Sequence, residues 1–121
     1  MSFLSRIIYG IFEYSLIQNP KTMTINIQYV HMATSEAMNT YVTEKLNNLS
    51  EKFDWIINAE VHFEKEQHDP IKGKICKMEL SVPGPRIFAT ANEDNYEKAV
   101  KHAIKDLEKQ LKKRKHTFAN H

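Results

Sequence analysis

Two segments with helical hydrophobic periodicity, set among segments that alternate like strands, constrain the fold of this chain more than any other feature. Alternation with a period of two indicates strands that bury one face, and apolar residues every three or four positions indicate helices that bury one stripe. The first helical segment follows one alternating segment, and the second follows three more. The predicted order of elements is therefore β-α-β-β-β-α.

The first strand and the first helix have the clearest patterns. Residues 24–29 alternate between polar and apolar side chains, which is typical of a half-buried strand. Thr34 or Ser35 then provides an N-cap, and we expect a helix over about residues 36–52. The predicted buried stripe of this helix consists of Met38, Val42, Leu46, Leu49 and Phe53.

The second half of the chain predicts a hairpin, a short strand and a long helix. Residues 59–64 alternate, residues 69–73 contain turn-forming residues, and alternation resumes over residues 76–82. After Pro83, Gly84 and Pro85, residues 87–91 form a fourth strand whose inward face the pattern does not assign. The N-cap of the second helix is either Asp94, with Glu97 three residues later, or Asn92. Its predicted buried stripe consists of Tyr96, Val100, Ala103, Ile104, Leu107 and Leu111.

These elements predict an α+β domain of two layers. Each helix has only one apolar stripe, so both helices should cover the same face of a four-stranded sheet. The other face of the sheet is then in contact with solvent, which agrees with the polar half of each strand. The chain has 121 residues, 41% of them hydrophobic, which suffices for one small core. We expect a single domain over residues 23–121.

The first 22 residues differ from the rest of the chain. They have no clean period, they end in Asn-Pro-Lys-Thr, and Met23 follows at once. We interpret Met23 as the natural first residue, with residues 1–22 as an extension outside the fold that arises from start-codon misassignment or is loosely held. A membrane-touching amphipathic helix is the alternative. Arg6 and Glu13 interrupt the apolar run, which is too short to span a membrane and is followed by no export cleavage site.

The residue inventory argues against catalysis. Cys76 is the single cysteine, so no intrachain disulfide or cysteine-cluster metal site can form, and a reducing, cytoplasmic location is expected. The six histidines lack the spacing of metal ligands. Glu60, Glu64 and Glu66 share a strand face with His62, but no nucleophile accompanies them. We expect no enzymatic activity, cofactor, metal or small-molecule substrate.

Positive charge is concentrated in the last quarter of the chain. The whole chain contains 17 basic and 15 acidic residues, whereas the acidic residues after position 95 are only Glu97, Asp106 and Glu108. Lysines recur every three or four positions opposite the buried stripe of the second helix and form a ridge on the order of 20 Å long. The ridge consists of Lys98, Lys101, Lys105, Lys109 and Lys112, extended by Lys113, Arg114 and Lys115.

This ridge has two interpretations. Exposed lysines improve solubility and complement the negative carboxyl end of a helix. Alternatively they bind a polyanion, which would relieve the repulsion between them. The first helix favours the second interpretation, because cations and an aromatic residue lie on the flank that borders the groove between the helices. These residues are Tyr41, Lys45, Asn48 and Lys52. A basic cleft with an aromatic edge is typical of RNA-binding surfaces.

Several motifs resemble a known family. Val82-Pro83-Gly84 precedes the fourth strand, which contains Phe88-Ala89, and the second helix contains Tyr96-x-x-Ala99-Val100 and ends in Leu107-x-Lys109-Gln110-Leu111-Lys112-Lys113-x-Lys115. With the order of elements, these motifs resemble the ribosome hibernation promoting factor family, also called sigma-54 modulation or ribosomal S30AE-type proteins. The resemblance covers residues 23 to about 118 and is to the short form of the family.

The resemblance implies a cytoplasmic protein that binds the small ribosomal subunit under stress or in stationary phase. The family occupies the channel for messenger and transfer RNA, so that bound ribosomes are inactive. Its short form implies no dimerisation domain, and we expect no membrane partner. A generic double-stranded RNA-binding module is the alternative, because its layout is similar. The implied ribosomal RNA contacts are Lys45, Lys52, Arg86, Lys105, Lys109, Lys112, Lys113 and Lys115.

Overall fold

The computed structural model describes residues 23–69 and 71–119, and in this part of the chain it has four strands and two helices. Their order, β1-α1-β2-β3-β4-α2, confirms the predicted order, and α1 has the predicted bounds. The predictions for residues 1–22 lie outside the described residues. The elements are β1 (Thr24–Val30), α1 (Glu36–Lys52), β2 (Asn58–Lys65), β3 (Lys74–Ser81), β4 (Ile87–Glu93) and α2 (Tyr96–Ala119).

The strands form one mixed sheet in the order β1-β2-β3-β4. β1 and β2 are parallel and are joined through α1, whereas β2–β3 and β3–β4 are antiparallel pairs. The register places Ile27 beside Val61, Val61 beside Met78, and Met78 beside Ala89. Because side chains alternate along a strand, the apolar positions of all four strands therefore point to one face.

The core lies between that face and the two helices, as predicted. The inward face of β4, which the sequence pattern did not assign, consists of Ile87, Ala89 and Ala91, and all three are buried. Phe88, between them, points to the opposite face and is exposed. The buried stripe of α2 fits against this layer and contains Ala99, Val100, Ala103, Leu107 and Leu111.

The N-cap of α1 and the turn before β3 form where the sequence predicts them. The Ser35 hydroxyl accepts a hydrogen bond from the Met38 backbone N–H at 3.2 Å and so caps α1. In the turn before β3, the Asp69 carboxylate accepts bonds from the backbone N–H groups of Ile71 and Lys72, at 3.0 and 2.9 Å. These backbone bonds lower the pKa of Asp69. In both places a side-chain oxygen accepts hydrogen bonds from backbone N–H groups that have no partner in a helix or strand.

The predicted N-caps of the second helix, Asp94 and Asn92, are wrong. The cap is Asn95, whose side-chain oxygen accepts a hydrogen bond from the Lys98 backbone N–H at 2.8 Å. The Asn92 side chain instead accepts a bond from the Gly73 backbone N–H at 2.7 Å. Asp94 forms an ion pair with Lys98 at 3.0 Å. The side chains of both predicted caps therefore form other contacts.

Candidate nucleic-acid interface

The solvent side of α2 presents one continuous row of lysines. Burial of Leu107 and Leu111 fixes the orientation of the helix, so positions spaced by three and four on its other side point outward. Lys105 and Lys109 are exposed and have no ion-pair partner within residues 23–69 and 71–119. We call this surface the lysine face, and its members are Lys98, Lys101, Lys105, Lys109 and Lys112.

The carboxyl end of α1 meets the lysine face at an acidic residue. Lys52 Nζ lies 3.1 Å from Glu108 Oε2, and Lys112 Nζ lies 3.8 Å from the same oxygen. The side chains of Lys52 and Lys112 are 60% and 66% exposed, whereas that of Glu108 is 26% exposed. The predicted groove between the helices is thus bridged by one carboxylate that faces two amines.

The predicted aromatic residue of this flank, Tyr41, contacts a lysine of the same helix. Lys45 Nζ lies 5.3 Å from the centre of the Tyr41 ring, within the range of a cation–π contact. Both side chains are half-buried. Lys45 shares this flank of α1 with Lys52, because the two residues are seven positions apart, or about two helical turns. The Tyr41 ring therefore positions the Lys45 amine in this structure.

A cavity of about 580 Å³ opens where α1 ends beside α2. Its lining residues are Lys52, Phe53, Lys112, Lys115 and His116. Phe53 is buried beneath it and packs edge-on against Trp55, with ring centres 5.9 Å apart. Trp55 packs in the same way against Phe118, at 5.0 Å. The aromatic contacts anchor the last turns of α2 and bring Lys115 to the same cavity as Lys52 and Lys112.

Two other predicted contact residues lie away from this groove. The Arg86 guanidinium donates a hydrogen bond to the carboxylate of Glu79, which belongs to the outward set of β3 side chains. The Arg86 side chain also lies at the start of β4, where it lines one pocket with Lys113 and Arg114 of α2. Lys113 is exposed on the side of α2 that faces the start of β4. The structure thus brings together Lys52, Lys112 and Lys115 in one cavity, and it places Arg86 with Lys113 in a second pocket.

Two residues at the end of α2 have contacts that the sequence did not indicate. Arg114 Nη1 donates a hydrogen bond to the Pro83 carbonyl at 2.8 Å, and Gln110 Nε2 donates one to the Phe88 carbonyl at 2.7 Å. Both bonds attach α2 to the β3–β4 turn or to the outer edge of the sheet. Periodicity assigned Arg114 to the basic block, but a partner 31 residues away leaves no signal in local spacing. Arg114 therefore has a structural role here.

Other reactive groups of the domain are engaged in structural contacts. Glu60 accepts hydrogen bonds from the side-chain amides of Asn26 at 2.9 Å and Asn58 at 3.1 Å, and these bonds lower its pKa. Burial raises the pKa of Cys76 to about 12. Within the described residues, no group of three or more His, Cys, Asp or Glu could hold a metal ion, and no helix could cross a membrane. The groove and the lysine face are the surface whose charge indicates a ligand.

Comparison with known proteins assigns the chain to a family. Residues 25–118, from β1 to the end of α2, match the family described as Sigma 54 modulation protein / S30EA ribosomal protein. A curated relative from Pseudomonas putida is named ribosome hibernation promoting factor. It is 30% identical over 93 residues, which cover 77% of this chain and 87% of the relative.

Two solved structures share the fold. A ribosomal subunit interface protein from Coxiella burnetii has a TM-score of 0.69 at 29% sequence identity, covering 77% of this chain and 98% of that chain. The N-terminal domain of Protein Y from Thermus thermophilus has a TM-score of 0.64 and covers 73% of this chain and 93% of that chain. Its identity is 20%, so this second likeness concerns the fold alone.

Proposed function

The chain belongs to the Sigma 54 modulation protein / S30EA ribosomal protein family, and on this premise we propose that it is a ribosome hibernation factor. It binds the small ribosomal subunit in the channel for messenger and transfer RNA and keeps ribosomes inactive under stress or in stationary phase. The names of the relatives from Pseudomonas putida and Coxiella burnetii support the ribosomal role. The observation on which the channel proposal rests is the exposed lysine face of α2.

The affinity of this surface comes mainly from contacts to RNA phosphates. Each lysine that neutralises a phosphate releases counterions, which favours binding most strongly at low salt. The proposed contacts on the helical layer are Lys45, Lys52, Lys105, Lys109, Lys112, Lys113 and Lys115. With the single-strand coefficient of about 0.7 per contact, these lysines give a slope of log K against log salt on the order of −5. Arg86 is a further proposed contact, beside Lys113 at the start of β4.

The protein acts by occupying the channel for messenger and transfer RNA, and it needs no chemical step. A rigid two-layer domain that covers RNA of the decoding region excludes messenger and transfer RNA from the same space. Inhibition of translation then saturates near one protein per ribosome. Because two ligands of overlapping sites weaken each other reciprocally, preformed initiation complexes reduce inhibition by this protein.

Sedimentation with purified ribosomal subunits tests this proposal. The protein is mixed with small subunits, with large subunits, or with small subunits that already hold messenger and initiator transfer RNA, and each mixture is separated on a low-salt sucrose gradient. We expect sedimentation with empty small subunits and reduced sedimentation with occupied ones. Equal binding to all three samples, or protein that stays at the top of the gradient, would contradict the proposal.

The same samples distinguish the alternative of a generic double-stranded RNA-binding module. Such a module recognises the A-form shape of any duplex, so a short unrelated RNA duplex in excess would remove it from the small subunit. A hibernation factor that depends on the arrangement of phosphates in the channel keeps its ribosomal binding in the presence of that duplex. Loss of sedimentation with small subunits when the duplex is in excess would favour the alternative.

A further inference from the structure

Glu108 has an unusual position for an acidic residue on a cationic surface. The amines of Lys52 and Lys112 come from two different helices, yet both approach the same oxygen, Glu108 Oε2, at 3.1 and 3.8 Å. Amines that converge on one anionic oxygen are also how lysine side chains bind a phosphate. The carboxylate therefore marks a point at which two helices direct positive charge.

The space beside this point is suited to an incoming anion. The cavity of about 580 Å³ is lined by Lys52 and Lys112 and also by Lys115. Lys115 is exposed and has no ion-pair partner in the part of the chain that the structure describes. An anion that enters the cavity thus meets three amines, two of which are already oriented by the carboxylate. Its charge competes directly with that of Glu108.

We propose that the Glu108 carboxylate occupies, in the free protein, the place of one RNA phosphate, and that this phosphate takes over Lys52 and Lys112 when RNA binds. The inference rests on the proposed function and extends it, since it identifies one phosphate-binding point and gives Glu108 the role of weakening RNA that makes few other contacts. The negative charge of Glu108 opposes every phosphate that enters the groove. RNA that reaches only this groove is bound weakly, whereas RNA that also contacts the rest of the lysine face overcomes the opposition.

A matched pair of substitutions tests the proposal. Glu108→Gln removes the carboxylate and keeps the size and helix propensity of the side chain. Asp106→Asn, the control, removes the same charge from the same helix, but Asp106 is exposed and is in no ion pair among the described residues. Dissociation constants of the wild type and both variants are measured for small ribosomal subunits and for a short unrelated RNA duplex, each at several salt concentrations.

The proposal predicts that Glu108→Gln binds the duplex roughly three- to tenfold more tightly than Asp106→Asn does, because it removes a charge within a few ångströms of the phosphate site. The salt slope for the duplex should steepen by about 0.9 to 1.8, equivalent to one or two further phosphate contacts. Small subunits should gain affinity by a similar factor, because a phosphate of ribosomal RNA takes the same place.

Two results would overturn the proposal. Equal affinities of the two variants would show that only net charge matters, and weaker binding by Glu108→Gln would show that the carboxylate positions the lysines for RNA instead of competing with it. Melting temperatures of all three proteins control for folding. If the wild type itself fails to bind small subunits, the proposed function fails; if the wild type binds but the variants coincide, only the inference about Glu108 fails.

Discussion

Replacement of both Lys105 and Lys109 by glutamine should weaken binding to the small ribosomal subunit and leave the fold intact. Both side chains are exposed, and the described residues contain no ion-pair partner for either. They lie on the side of α2 opposite Leu107 and Leu111, which are fully buried. Glutamine removes the charge and has a helix propensity close to that of lysine.

The expected loss follows from counterion release. Each phosphate contact contributes about 0.7 to 0.9 to the slope of log K against log salt, so the loss of two contacts reduces the slope by roughly 1.4 to 1.8. At about 0.1 M salt this corresponds to a 25- to 60-fold weaker affinity. Surface substitutions of this kind change the free energy of unfolding by less than about 0.5 kcal/mol. The melting temperature of so small a domain should then move by no more than about 2 to 4 °C.

The assay measures binding to small subunits at four salt concentrations, together with thermal denaturation. The matched control replaces Lys65 and Lys72, exposed lysines near the β2–β3 turn, by glutamine and so makes the same change in net charge. The control should keep the wild-type slope. Equal weakening in both variants would refute the phosphate contacts, and a melting temperature lowered by much more than 4 °C would refute the assignment of the face.

Three further predictions concern the stability of the domain and the reactivity of its buried cysteine. Leu107→Ala, at a fully buried position, should cost about 2 to 5 kcal/mol and lower the melting temperature by about 10 °C or more; an unchanged melting temperature would contradict the described core. Gly73→Ala should destabilise more than Gly84→Ala in urea denaturation. Both glycines have positive φ, but an added Cβ lies 2.6 Å from a backbone oxygen at Gly73 and 2.9 Å from the flexible end of Arg114 at Gly84; equal or reversed midpoints would refute this comparison. The Cys76 thiol, with a pKa of about 12 in the folded protein, should be ionised about 10³-fold less at pH 8 than in unfolded chain, so native labelling by a thiol reagent as fast as in urea would be contrary to the structure.

Features of the fold that depend on local periodicity could be predicted from the sequence. The bounds of α1 follow from the Ser35 cap and from the apolar stripe that ends at Phe53. The cap of α2 could not be predicted, because Asn92, Asp94 and Asn95 are all good caps. The choice among them depends on the hydrogen bond from Gly73 to Asn92, which exists only once the sheet has formed.

The inward face of β4 illustrates the same limit. Ile87 and Phe88 are neighbours and point to opposite sides of the sheet, and each is apolar enough to be buried. The pairing of Ile87 with Leu80 of β3 places Ile87 with the inward set. Such a register is tertiary information, since a shift by one residue would exchange the two faces.

The candidate site was predictable only as far as one helix determines it. The spacing of lysines on α2 gave the lysine face, because a single helix sets which residues share a side. The contact of Lys52 with Glu108 joins two helices, and that of Arg86 with Glu79 joins β3 and the residue before β4. Neither pairing can be derived from local spacing, so the sequence grouped Arg86 with Lys52 and Lys112, although Arg86 lines a different pocket, with Lys113.

A cryo-electron microscopy map of the full chain bound to vacant small ribosomal subunits tests the central claim most directly. The predicted result is one copy of the domain in the channel for messenger and transfer RNA, with the lysine face of α2 against ribosomal RNA and the outward face of the sheet away from it. A domain bound elsewhere on the subunit, or one that contacts RNA through the sheet while the lysine face remains in solvent, would contradict the proposed function.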